Sequence, residues 1–185
     1  MATTNKPVSA EIEALSAVLG TDASKLLDPT VARAWIALLT AYGRVTRALS
    51  SELMDSSGMS LADFDVMVQL VRSEEYRLRM SELADAALIS KSGLTRRIDR
   101  LAVNGWVTRR RCTEDGRVHW ATLTPLGLRA FKGAAPGHLA AVAERFGSVL
   151  PTSEMERLTR NLLKIAAKNK EGTRDAVERD PLIRR

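Results

Sequence analysis

The sequence predicts a mainly α-helical fold carrying one small β-wing, and three observations predict it. Apolar residues recur at three and four positions through most of the chain, the mark of amphipathic helices. Near the middle, a short helix, a break of about three residues and a longer helix follow in series, which is a helix-turn-helix pattern. Immediately afterwards the period falls to two on either side of Asp115-Gly116, as in a β-hairpin. Together these give a winged helix-turn-helix core with further helices before and after it.

Taken in order, the residues to about Pro7 read as a tail, and EIEALSAVLG reads as a short helix ended by Gly20. Residues 1–28 are thus an N-terminal extension. Asp28-Pro29 opens a long helix over residues 29–58, since proline suits the first helical position, where no N–H is needed. Val31, Trp35, Leu38, Leu39, Tyr42, Val45 and Leu49 keep helical spacing along it, and Gly58 closes it. Ser60 and Asp63 make an S-x-x-D capping box for a second helix, on which Leu61, Phe64, Met67, Val68 and Val71 face one way. Ser81 is placed to cap a short third helix through about Ala87, and Ser90 a fourth that ends at Asn104-Gly105. WVTRRRC and RVHWATL are the hairpin strands, joined through TEDG. Thr124-Pro125 restarts helix, and a last helix begins near Thr152 or Ser153 with Met155, Leu158, Leu162, Ile165 and Ala166 on one face. The winged core spans residues 60–124, C-terminal helices span 125–168, and residues 169–185 read as a polar tail.

Composition narrows the function. At 185 residues and 45% hydrophobic content the chain can bury a sizeable core. No stretch approaches the roughly 20 apolar residues of a membrane span, and the start lacks a signal peptide's apolar run, so a cytoplasmic protein is expected. One cysteine, Cys112, excludes an internal disulfide and a Cys-based zinc site, and reads as a small strand residue. HExxH, GxSxG, GxGxxG and P-loop patterns are missing, and His119 and His138 sit on separate elements, so neither an enzyme nor a metal or cofactor site is expected. The net charge of +6 favours an anionic partner. Its distribution says more: Lys91, Arg96, Arg97, Arg100, Arg109, Arg110 and Arg111 stand against Asp99 alone between residues 91 and 111.

The fourth helix carries the chemistry. Leu94, Ile98 and Leu101 fall on one narrow stripe, which turns Ser92, Thr95, Arg96 and Arg100 outward. Taken alone, such a face is ordinarily just solvated. Beside a wing, it suits the major groove of duplex DNA, about 12 Å wide, with the hairpin extending along the phosphates. Arg96 is the first choice for base readout, because its planar fork matches guanine O6 and N7. Ser90, Lys91, Ser92 and Thr95 complete the helix start, and Thr95 suits a thymine methyl or a phosphate. Arg97 sits at the edge of the stripe, suited to packing its stem or touching phosphate. Asp99 reads either as orienting Arg96 or Arg100 or as an ordinary surface ion pair. In the wing, Arg117 lies just past the turn and can enter a minor groove, with Asp115 placed to brace it. Arg109, Arg110 and Arg111 alternate across a strand, so one is expected to bond inward or pair with Asp115.

The run MSELADAALISKSGLTRRIDRLAVNGWVTRRRCTEDGRVHWATLTPLG resembles the winged-helix core of the MarR (multiple antibiotic resistance regulator) family in its SELA helix, LTRRIDRL, NGWV, D-x-R wing and LTPLG. The resemblance implies a transcriptional regulator that binds double-stranded DNA, in which Thr95, Arg96 and Arg117 touch the operator. Gly116 stands where the family often has a basic residue, which implies a weaker wing grip. It also implies a homodimer intertwined through the N- and C-terminal helices, whose apolar stripes need a partner surface; packing within one chain is the competing account. Family members commonly release DNA on binding a small aromatic or phenolic effector, and Trp35 and Asp65 resemble effector-pocket positions of a urate-responsive branch, though a core tryptophan and an exposed first-turn aspartate favoured by the helix dipole account for them better. Cys112 is not near the N-terminus, where peroxide-sensing relatives carry theirs. A repressor acting on a pseudo-palindromic operator is the resulting expectation. The alternative is an architectural DNA binder with little sequence preference.

Overall fold

The structure, a computed structural model, describes residues 8–111 and 118–169. Cys112, Asp115, Gly116 and Arg117, like the two expected tails outside residues 8–169, lie outside the described residues. The chain divides into two compact units, residues 1–48 and 49–185, each taken by itself.

In the first unit, α1 (Val8–Leu19) ends at Gly20, and a 3-10 turn (Ala23–Lys25) leads to α2 (Pro29–Ser57), which continues into the second unit. Asp28 caps α2, accepting the Thr30 N–H at 2.7 Å and the Val31 N–H at 3.3 Å. Those bonds hold its carboxyl below the usual carboxylate range. Ala32 is buried, whereas Val31, Trp35, Leu38, Leu39 and Tyr42 are exposed.

In the second unit, α2 closes at Gly58, whose φ of +67° is the left-handed conformation that spares glycine the Cβ penalty. There follow α3 (Leu61–Arg72), β1 (Arg77–Arg79), α4 (Met80–Ala86), α5 (Lys91–Val103), β2 (Val107–Arg111), β3 (His119–Leu123), α6 (Pro125–Arg145) and α7 (Thr152–Lys168). The strands form one antiparallel sheet in the order β1-β3-β2. Strand β1 has no forecast in the sequence: three residues are too few to show alternation, and its pairing to β3 is long-range.

Two expected caps are corrected. Helix α4 starts before Ser81, and its start is tied instead by the Arg79 N–H donating to the Glu82 carboxylate at 3.2 Å. At α3 the Ser60 hydroxyl does accept the Asp63 N–H at 3.1 Å, but the Asp63 carboxylate turns to another helix. By contrast Ser90 caps α5 through the Gly93 N–H, and Thr124 caps α6 through the Gly127 N–H. Helix α6 runs on past Pro136 without ending.

The core lies between α3, α4, α5 and the inner face of the sheet. Phe64, Met67, Leu70, Leu83, Leu94, Ile98, Leu101, Val107 and Ala121 are all buried there. Each large side chain among them contributes about 1.5–3 kcal/mol relative to exposure. Phe64 stacks on Phe131 of α6 with ring centroids 4.9 Å apart, joining that helix to the core. Helix α7 buries none of its residues, and its Ile165 is exposed.

Candidate nucleic-acid interface

Helix α5 is oriented by its apolar stripe. Leu94 and Ile98 have no exposed surface and Leu101 has 1%, so the opposite side of the helix must face outward. On that side Ser92, Arg96 and Asp99 are exposed. Lys91 begins the helix and is exposed, and Ser90 precedes it. Thr95 is half-buried, its hydroxyl donating to the Lys91 carbonyl at 3.0 Å. No ion pair of Lys91 or Arg96 occurs among the described residues. An α-helix presented in this way, pinned on one side and cationic on the other, matches the width of a major groove.

Arg97 and Arg100 are placed differently. The Arg100 guanidinium donates to the Asp63 carboxylate of α3 at 3.0 Å, and an Arg97 nitrogen lies 3.9 Å from the same oxygen. The carboxylate that orients Arg100 is therefore Asp63 and not Asp99. Sequence reasoning missed it because 37 positions separate the two residues and Asp63 already had a local role as a helix cap.

The sheet adds further cations. In register, Arg109 stands opposite Ala121 and Arg111 opposite His119, while Arg110 stands opposite Trp120. Arg109 therefore shares the inner face with buried Val107, and Arg110 the outer face. Arg109, Lys91, Thr95, Arg79, Ser81 and His119 line one cavity of about 230 Å³ at the start of α5. Arg79 was not foreseen, since it belongs to the unforeseen strand β1. It and Arg77 also lie over the Trp120 ring, at 5.4 and 5.1 Å from its centroid. Positive charge thus collects where the start of α5 lies beside the described strands, a setting that attracts phosphate.

Of the two candidate effector residues, Trp35 belongs to the first unit and Asp65 to the second, and both are exposed. Atoms packed near the Asp65 carboxyl partly desolvate it and raise its pKa above the usual carboxylate range, opposed by His138 and Arg97. His138 packs on Phe64, with ring centroids 4.6 Å apart, and its Nδ1 is buried with no hydrogen-bond partner among the described residues. Among the described residues there is no cluster of side chains able to hold a metal ion, and no helix is long and apolar enough to cross a membrane.

Comparison with known proteins decides the family. Residues 57–118 match the MarR family. The crystal structure of AbsC, a MarR family transcriptional regulator from Streptomyces coelicolor, superposes with a TM-score of 0.73 at 32% identity, over 78% of this chain and 97% of that one. The chain belongs to the MarR family. A second MarR family regulator from Streptomyces coelicolor, Sco3205, solved in complex with DNA, gives a TM-score of 0.72 at 31% identity, over 77% of this chain and 89% of that one. The transcriptional repressor YetL of Bacillus subtilis is 33% identical over 46% of this chain and 52% of its own length. This MarR protein is accordingly a DNA-binding transcriptional regulator, with the family's winged helix-turn-helix built from α4, α5 and the β2–β3 hairpin. Its relatives are regulators of transcription rather than enzymes.

Proposed function

We propose that this MarR protein is a ligand-responsive repressor that binds a pseudo-palindromic operator as a homodimer. The observation that carries the reading is the split of α5 into a fully buried apolar side and an exposed side bearing Ser92 and Arg96. Arg96 reads a guanine in the major groove, Thr95 touches a neighbouring base or phosphate, and Ser90, Lys91, Ser92 and Arg109 hold the backbone. Arg117 enters the flanking minor groove. Arg97 and Arg100 stand at the edge of the contact. The DNA complex of the similar Sco3205 supports DNA as the partner.

The dimer reading is supported by exposed apolar side chains on α2 and α7, among them Val31, Leu39, Tyr42 and Ile165. Two-fold symmetry then sets two α5 helices about one DNA turn, roughly 34 Å, apart. The effector in this reading is a small aromatic or phenolic molecule, as the family resemblance implies. The test is selection of bound sites from random duplex DNA, repeated with candidate aromatic acids. Enrichment of a two-fold symmetric site, lost when the effector is present, is expected. Recovery of DNA with no shared sequence would replace the repressor by an architectural binder.

A further inference from the structure

We infer that Asp63 is a specificity-determining residue: it tethers Arg97 and Arg100 so that α5 offers free positive charge only from Lys91 and Arg96. The inference rests on the proposed DNA contact by α5. Among the described residues Asp63 is the buried charged residue, at 8% exposure, and its carboxylate is committed across the fold to α5 rather than back to its own helix start. Arg100 reaches it at 3.0 Å and Arg97 at 3.9 Å, whereas Arg96, one position before Arg97, points outward without an ion pair among the described residues.

This division matters because sequence-independent affinity grows with each cation delivered to a phosphate. An arginine held on a sheltered carboxylate delivers less: moving it to phosphate would leave Asp63 desolvated and unpaired. Yet Arg100's side chain remains 59% exposed, so its charge lies at the surface and would be released if the tether were cut. The ion pair also fixes α5 about its own axis, and with it the direction of Arg96. Asp63 therefore acts without touching bases, as a positioning residue. It lowers the affinity for random DNA and keeps the reading arginine aimed.

The experiment is titration of the full chain and its Asp63→Asn variant against operator and scrambled duplexes over a range of salt concentrations, by fluorescence anisotropy. Freeing the arginines is expected to tighten scrambled-DNA binding severalfold, steepen its log–log salt slope by about one unit, and reduce the operator preference about fivefold or more. An unchanged preference, or both affinities falling together at unchanged slope as for a merely destabilised protein, overturns the inference. Should Asp63→Asn not fold, Asp63→Ser serves with the same reading: a steeper salt slope on scrambled DNA with a reduced operator preference is expected, and an unchanged slope and preference overturn the tether. If the unmodified protein ignores duplex DNA altogether, the proposed function fails instead.

Discussion

Gly127 of α6 faces the backbone of Trp106 so closely that a Cβ at Gly127 would stand 2.1 Å from the Trp106 carbonyl oxygen. The same carbonyl accepts the Thr124 N–H at 2.9 Å. One backbone group thus fastens the start of α6 to the link between α5 and β2, and the glycine lets it approach. Gly127→Ala forces a backbone shift, for which a loss of about 2–3 kcal/mol in unfolding free energy is expected by urea denaturation. An unaltered midpoint and slope would show that this contact does not fasten α6 to the link between α5 and β2.

Strand alternation separates two adjacent arginines. Arg109 lies with Lys91 and Thr95 around the cavity at the start of α5, whereas Arg110 is on the opposite sheet face beside Trp120. Arg109→Ala is expected to weaken operator binding and reduce the salt slope by about one unit, and Arg110→Ala to do neither. Equal losses from both substitutions would mean that DNA meets the sheet some other way.

The wing makes a complementary expectation. Arg117→Ala should weaken operator and scrambled duplexes alike, about one unit being lost from the salt slope, because a narrow-groove arginine adds charge more than base discrimination. Binding curves that overlay those of the unmodified protein would remove the wing from the interface.

Asp65 gives a pH-dependent stability signature. Its carboxyl pKa in the fold is raised by desolvation, so the charged form disfavours folding. Below the unfolded carboxylate value of 3.8 both states are protonated and the penalty vanishes; it appears as pH climbs past that value and is complete above the raised pKa. Asp65→Asn should therefore raise the melting temperature at pH 7 and leave it unchanged near pH 3. A variant less stable than the parent at pH 7 would show Asp65 to be a stabilising charge.

Much of this was legible in the sequence because the signals are local. Leu94, Ile98 and Leu101 predict the buried side of α5 by spacing alone, and Ser90, Thr124 and Asp28 mark helix starts through bonds spanning two or three residues. What escaped is long-range. The pairing of Arg79 with Trp120, which creates β1, crosses 41 positions, and the Asp63 to Arg100 bond crosses 37. Ser81 misled because a serine one residue inside a helix looks the same in sequence as one at its cap.

In the proposed complex Arg96, on the exposed side of α5, reads a guanine in the major groove. Methylation interference at guanine N7 on the selected operator tests it most directly, comparing the unmodified protein with Arg96→Ala. The expected result is interference at one guanine in each half-site that disappears in Arg96→Ala, with about 1–3 kcal/mol of discrimination lost at that position. An identical interference pattern in the two proteins would contradict it.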